Sequence, residues 1–87
     1  MTEDSLLEFP CDFPIKVMGK RSDDFAQAIA EIVRRHAPDF PVETMAMRPS
    51  SGGNYLSVTC TVRAQSRQQL DNLYLALSSH PDVKVVL

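Results

Sequence analysis

The side chains suited to chemistry are few: two histidines, His36 and His80, two cysteines, Cys11 and Cys60, and a polar run from Arg48 to Tyr55. Nucleophilic catalysis needs a Ser or Cys beside a His that an acid orients. Neither His lies in such a motif. His36 ends an expected helix, where the dipole favours a cation, and His80 falls in an expected exposed turn. The cysteines stand 49 positions apart and form no CxxC pair or metal spacing with either His. They read as free thiols, Cys60 as a small core residue. Asp23 and Asp24 are adjacent and fit a helix start better than acid–base work. No P-loop and no GxGxxG occurs. No catalytic residue, metal ligand set or cofactor is therefore expected.

The sharpest candidate for binding is the loop built from Arg48, Ser50, Ser51, Gly52, Gly53, Asn54 and Tyr55. Successive Ser and Gly residues could turn several backbone N–H groups toward one point, an anion nest. Arg48 would add charge, and Tyr55 could cover the bound group. The competing reading is a plain hairpin loop, whose glycines supply positive φ and whose Asn starts the next strand.

These residues must be positioned by a small scaffold. At 87 residues the chain has room for one core. Residues 1–11 read as an N-terminal tail and 12–87 as a single domain. Phe9, with Leu6 and Leu7, is apolar enough for part of that tail to dock. The longest apolar run is Leu73 to Leu77, far short of the roughly 20 residues of a membrane span. The start, Met-Thr-Glu-Asp-Ser, is acidic where a signal peptide would be basic, so a cytoplasmic protein is expected. Net charge is −2, with Glu3, Asp4, Glu8 and Asp12 all in the first twelve residues. The remainder is too evenly balanced to act as a phosphate-binding field.

Periodicity gives the elements. Phe13, Ile15 and Val17 alternate with polar neighbours as a first strand, ended by Gly19. Ser22 reads as the N-cap of a helix, with Asp23 and Asp24 in its first turn. Phe25, Ala28, Ile29, Ile32 and Val33 form its buried stripe, and Pro38 stops it. A second strand is expected over Val42–Arg48. A third runs from Tyr55 to Val62, with Leu56, Val58, Cys60 and Val62 on one face. Ser66 and Gln69 form a capping box ahead of the stripe Leu70, Leu73, Tyr74 and Leu77. Val83, Val85 and Leu87 alternate with Lys84 and Val86 in a last strand.

The order β-α-β-β-α-β predicts an α+β, ferredoxin-like sandwich: a four-stranded antiparallel sheet with two helices on one face. The first and third strands should be central. The outer face of the sheet should then carry Lys16, Met18, Met45, Met47, Tyr55, Ser57, Thr59, Thr61, Lys84 and Val86. That assignment depends on the register of the second strand, which a one-residue slip inverts. RNA-recognition motifs share the strand order but stack bases on several outward aromatics. Here Tyr55 stands alone, so nucleic acid is not expected as a partner. Edge strands at Val42–Arg48 and Val83–Leu87, or the sheet face itself, are candidates for a homodimer or a protein partner.

Several blocks in order, Leu6-Leu7-Glu8-Phe9-Pro10, Lys16-Val17-Met18-Gly19, Arg35-His36-Ala37-Pro38, Arg48-Pro49-Ser50-Ser51, Gly53-Asn54-Tyr55, Ser57-Val58 and Val86-Leu87, resemble the YbeD-like family of small uncharacterised bacterial proteins. The resemblance spans almost the whole chain. It implies the same ferredoxin-like sandwich, and within that fold a likeness to ACT-type regulatory domains, which bind amino acids or other small effectors and pair through sheet edges or helices. It brings no established activity; gene neighbourhood has suggested a link to lipoate metabolism. Gly52, a second glycine in the loop, departs from the pattern, as does Cys11-Asp12. The expectation is a non-catalytic regulatory module that takes a small effector. The alternative is an adaptor acting through the sheet face or an edge strand.

Overall fold

The structure, a computed structural model, describes residues 8–87. Leu6 and Leu7 of the expected tail lie outside the described residues. Phe9 is half-buried against the core and Cys11 already opens the first strand, so ordered structure begins ahead of position 12.

β1 spans Cys11–Lys20, α1 Phe25–His36, β2 Ala46–Pro49, β3 Tyr55–Ala64, α2 Arg67–Ser78 and β4 Val83–Val86. The sheet is antiparallel in the order β2-β3-β1-β4, so β1 and β3 are central, as the pattern required. Alternation in β1 buries Ile15 and Val17; alternation in β3 buries Val58, Cys60, Val62 and Ala64. These meet Phe25, Ile29 and Val33 of α1 and Leu70, Leu73 and Leu77 of α2, all at most 3% exposed. Each large aliphatic or aromatic group buried there stabilises the fold by roughly 1.5–3 kcal/mol before the opposing chain entropy. Pro14 sits within a central strand at no cost to the ladder. Lys16 N–H points toward β4, so the nitrogen of Pro14 faces the same way, past Leu87, where no strand lies alongside among the described residues.

The helix starts differ. Ser66 caps α2, its Oγ accepting from Gln69 N–H at 3.1 Å. Gln69 reaches back to Gln65 N–H at 2.6 Å and donates through Nε2 to the His36 carbonyl at 2.8 Å, tying the end of α1 to the start of α2. Ser22 does not cap α1. The chain turns at Asp23 and Asp24, Phe25 N–H donates to the Ser22 carbonyl at 3.3 Å, and no side chain caps the helix. Both aspartates therefore precede the first turn rather than occupy it.

The second strand is shorter than expected. Val42–Thr44 forms a single 3-10 turn, because Pro41 fixes its entry and its carbonyl accepts from both Thr44 N–H (2.9 Å) and Thr44 Oγ1 (2.6 Å). Pairing then sets Ala46 opposite Thr59, Met47 opposite Val58 and Arg48 opposite Ser57. This is the one-residue slip. Ala46 and Arg48 face outward, whereas Met45 packs on the core and Met47 lies on the helix side of the sheet edge. At the other edge a bulge between Met18 and Gly19 leaves Lys84 without an opposite residue. Val83 and Val86 both turn to the core, while Val85 opposes Met18 and Leu87 exchanges hydrogen bonds with Lys16, so both face out. The expected outer positions of Met45, Met47 and Val86 are thereby corrected.

Candidate functional site

Among the described residues no helix packs on the outer face of the sheet, and two rows of residues cross it. One runs Arg48, Ser57, Met18, Val85; the next runs Ala46, Thr59, Lys16, Leu87. At the meeting of these rows with the β2–β3 hairpin lies a cleft of about 140 Å3, lined by Lys16, Met18, Arg48, Pro49, Ser50, Tyr55, Leu56 and Ser57. An adjoining depression of about 330 Å3 shares Lys16, Arg48 and Ser57. Lys16 on β1 and Arg48 on β2 flank β3, so roughly 10–12 Å separates their Cα atoms by strand spacing. Two long side chains bridge such a gap and can meet over Ser57. Among the described residues neither cation has a hydrogen-bond or ion-pair partner.

The hairpin loop is held by its own backbone. Ser50 N–H donates to the Tyr55 carbonyl at 2.9 Å, Gly53 N–H to the Ser50 carbonyl at 2.9 Å and Tyr55 N–H to Ser50 Oγ at 3.2 Å. Gly53 has φ +75°, a conformation that favours glycine. Two of the N–H groups that a nest would use, those of Ser50 and Gly53, are thus spent on the turn. Of the seven residues expected from sequence, Arg48, Ser50 and Tyr55 line the cleft, while Ser51, Gly52, Gly53 and Asn54 stay at the loop tip. Arg21 was not anticipated there. Its N–H donates to the Asn54 carbonyl at 3.0 Å, and its guanidinium lies beside Gly53. Lys16, Met18, Leu56 and Ser57 also join the cleft unannounced. Alternation placed Lys16, Met18 and Ser57 on the outer face, but only the strand register carries them to Arg48.

The histidines and cysteines take no part in this cleft. His80 is half-buried rather than exposed: its ring meets Phe25 edge-on at 6.4 Å between centroids, and Nδ1 accepts from Asp82 N–H at 3.1 Å. Cys11 and Cys60 are free, and burial pushes the Cys60 thiol up to about 11. Among the described residues no three His, Cys, Asp or Glu side chains gather as a metal site, and no helix is long and apolar enough to cross a membrane.

A family model described as "Protein of unknown function (DUF493)" matches residues 4–87. A UPF0250 protein of Ralstonia nicotianae is 62% identical over 84 residues, covering 97% of this chain and 87% of its own length. A UPF0250 protein of Nitrosomonas europaea is 55% identical over 87 residues, covering both chains completely. Among solved structures, protein HP0495 from H. pylori superposes with a TM-score of 0.73 at 15% identity, over 100% of this chain and 94% of that one. The ACT domain from GTP pyrophosphokinase of Chlorobium tepidum superposes with a TM-score of 0.66 at 15% identity, over 87% of this chain and 84% of that one.

Proposed function

Starting from a chain that belongs to the DUF493 family of small bacterial proteins and has the ACT-like fold, we propose a non-catalytic regulatory module that binds a small anionic effector in the outer-face cleft. One observation carries this reading: two cations, Lys16 and Arg48, without side-chain partners among the described residues, stand over a cleft whose walls, Met18, Pro49, Tyr55 and Leu56, are mainly apolar. The cations match a carboxylate, with Arg48 able to engage both oxygens. Ser57 offers a hydroxyl between them. The apolar walls fit the body of an amino acid or a short carboxylic acid. The volume, about 140 Å3, falls below the roughly 300–1,000 Å3 of pockets that enclose drug-sized ligands, which sets the scale of the effector. A cytoplasmic setting agrees with a metabolite as the signal.

Thermal-shift screening with amino acids, carboxylates and lipoyl compounds tests the reading. Ligand at ten times its Kd stabilises the native state by about 1.4 kcal/mol, which for a domain of this size raises Tm by roughly 6–11 °C. Arg48→Ala is expected to abolish that rise while leaving the unliganded Tm within a few degrees. Failure of every such compound to raise Tm, or the same rise in Arg48→Ala, removes the proposal.

A further inference from the structure

The charges of this protein are sorted between its two sides. At the outward positions of the strands stand four bases, Lys16, Lys20, Arg48 and Arg63, and one acid, Asp12. That acid is spent on Arg63, 3.2 Å away. The other described residues hold five bases and eight acids, so the sheet face is positive and the rest negative. Apolar groups lie among the bases: Tyr55 and Val85, each 43% exposed, and Leu87, 64% exposed. Hydroxyls of Ser57, Thr59 and Thr61 fill the centre.

We infer that the bare sheet face docks an acidic protein segment that carries apolar side chains at intervals. Charge complementarity selects this occupant. The positive face attracts an acidic chain, and the negative remainder repels it elsewhere, which orients the encounter. A second copy is disfavoured on this face, since Lys16, Lys20 and Arg48 would meet their own counterparts. RNA is disfavoured because the face displays Tyr55 as its one aromatic and the remainder of the molecule repels phosphates. The effector cleft lies inside this surface, but the docking surface is wider: Lys20 and Thr61 belong to the face and not to the cleft.

The test is fluorescence anisotropy with a labelled peptide of alternating Glu and Leu, beside a Lys-Leu peptide and a single-stranded RNA of equal length. The acidic peptide is expected to bind, to weaken with added salt, and to outbind both controls. Lys20→Glu combined with Thr61→Glu should weaken it about tenfold. Arg34→Glu with Arg35→Glu, on the helix side, should change it less than twofold. Lys20→Glu alone serves if the double variant fails to fold. Because these substitutions lie outside the cleft, an effector-induced rise in Tm should survive them, so the two readings fail separately. Tighter binding of RNA, equal binding by the sheet-face and parent proteins, or a dimer in sedimentation whose formation excludes the acidic peptide would each overturn the inference.

Discussion

Replacing Gly19 by alanine places one methyl group at the most crowded point of the sheet. Its Cβ would stand 2.6 Å from two ring carbons of Phe25 and against the carbonyl oxygen of Asp82. Ordinary carbon contacts fall near 3.5–4.0 Å, so a neighbour must move by about 1 Å. Neither is free to do so. Phe25 is fully buried and edge-on to His80, and the Asp82 carbonyl accepts from Lys20 N–H at 3.0 Å where β4 begins. Overpacking of this kind costs about 1–3 kcal/mol. With backbone as one of the obstructing groups, about 3 kcal/mol is expected, a fall in Tm of roughly 12–24 °C. Gly52 provides the control: its added Cβ meets Asn54 Nδ2 at 3.7 Å, an ordinary contact, so Gly52→Ala should stay within about 0.5 kcal/mol of the parent or gain slightly. Urea unfolding followed by circular dichroism reads both. A Gly19→Ala protein within about 0.5 kcal/mol of the parent would refute the close approach of β1, α1 and the start of β4.

Further outcomes follow from the core, the cap and the thiols. Val58→Asp buries an unpaired carboxylate opposite Val17 and should abolish the cooperative melt; a melt like the parent's would sink the core assignment. Ser66→Ala removes the α2 cap and should cost about 1 kcal/mol by urea unfolding. At pH 8 a thiol reagent should label Cys11 in the native protein and reach Cys60 only on unfolding, since burial lifts Cys60 from 9.0 to about 11. Between those values the unfolded thiol releases its proton and the folded one retains it, so stability should fall as pH rises from 9 to 11. Tyr74, raised by burial from its ordinary 10.0, acts in the same sense as pH rises above 10.

The central strands were legible because alternation in Phe13–Val17 and Tyr55–Val62 is long and unbroken, and the helix stripes because their period is equally clear. The edges were not. Nothing local in Met45-Ala46-Met47-Arg48 tells which pair faces out, since apolar residues stand at three of the four positions. The 3-10 turn at Val42–Thr44 spends residues that the pattern assigned to strand, and pairing with β3 then decides the register. In β4 the run Val83-Lys84-Val85-Val86-Leu87 offers an apolar residue to either face, so one bulge changes the phase unseen. The same limit applies to the cleft. Arg48, Ser50 and Tyr55 were visible as a polar cluster in sequence, but Lys16, some thirty residues away, joins them only through β1–β3–β2 pairing.

An effector that raises Tm should also reveal its location by amide NMR. Titrated into 15N-labelled protein, it is expected to shift the signals of Lys16, Met18, Arg48, Tyr55 and Ser57 together, with one saturation curve, and to leave those of α1 and α2 in place. Saturable shifts confined to the helices, with the outer-face amides unmoved, would contradict the assignment of the cleft as the effector site.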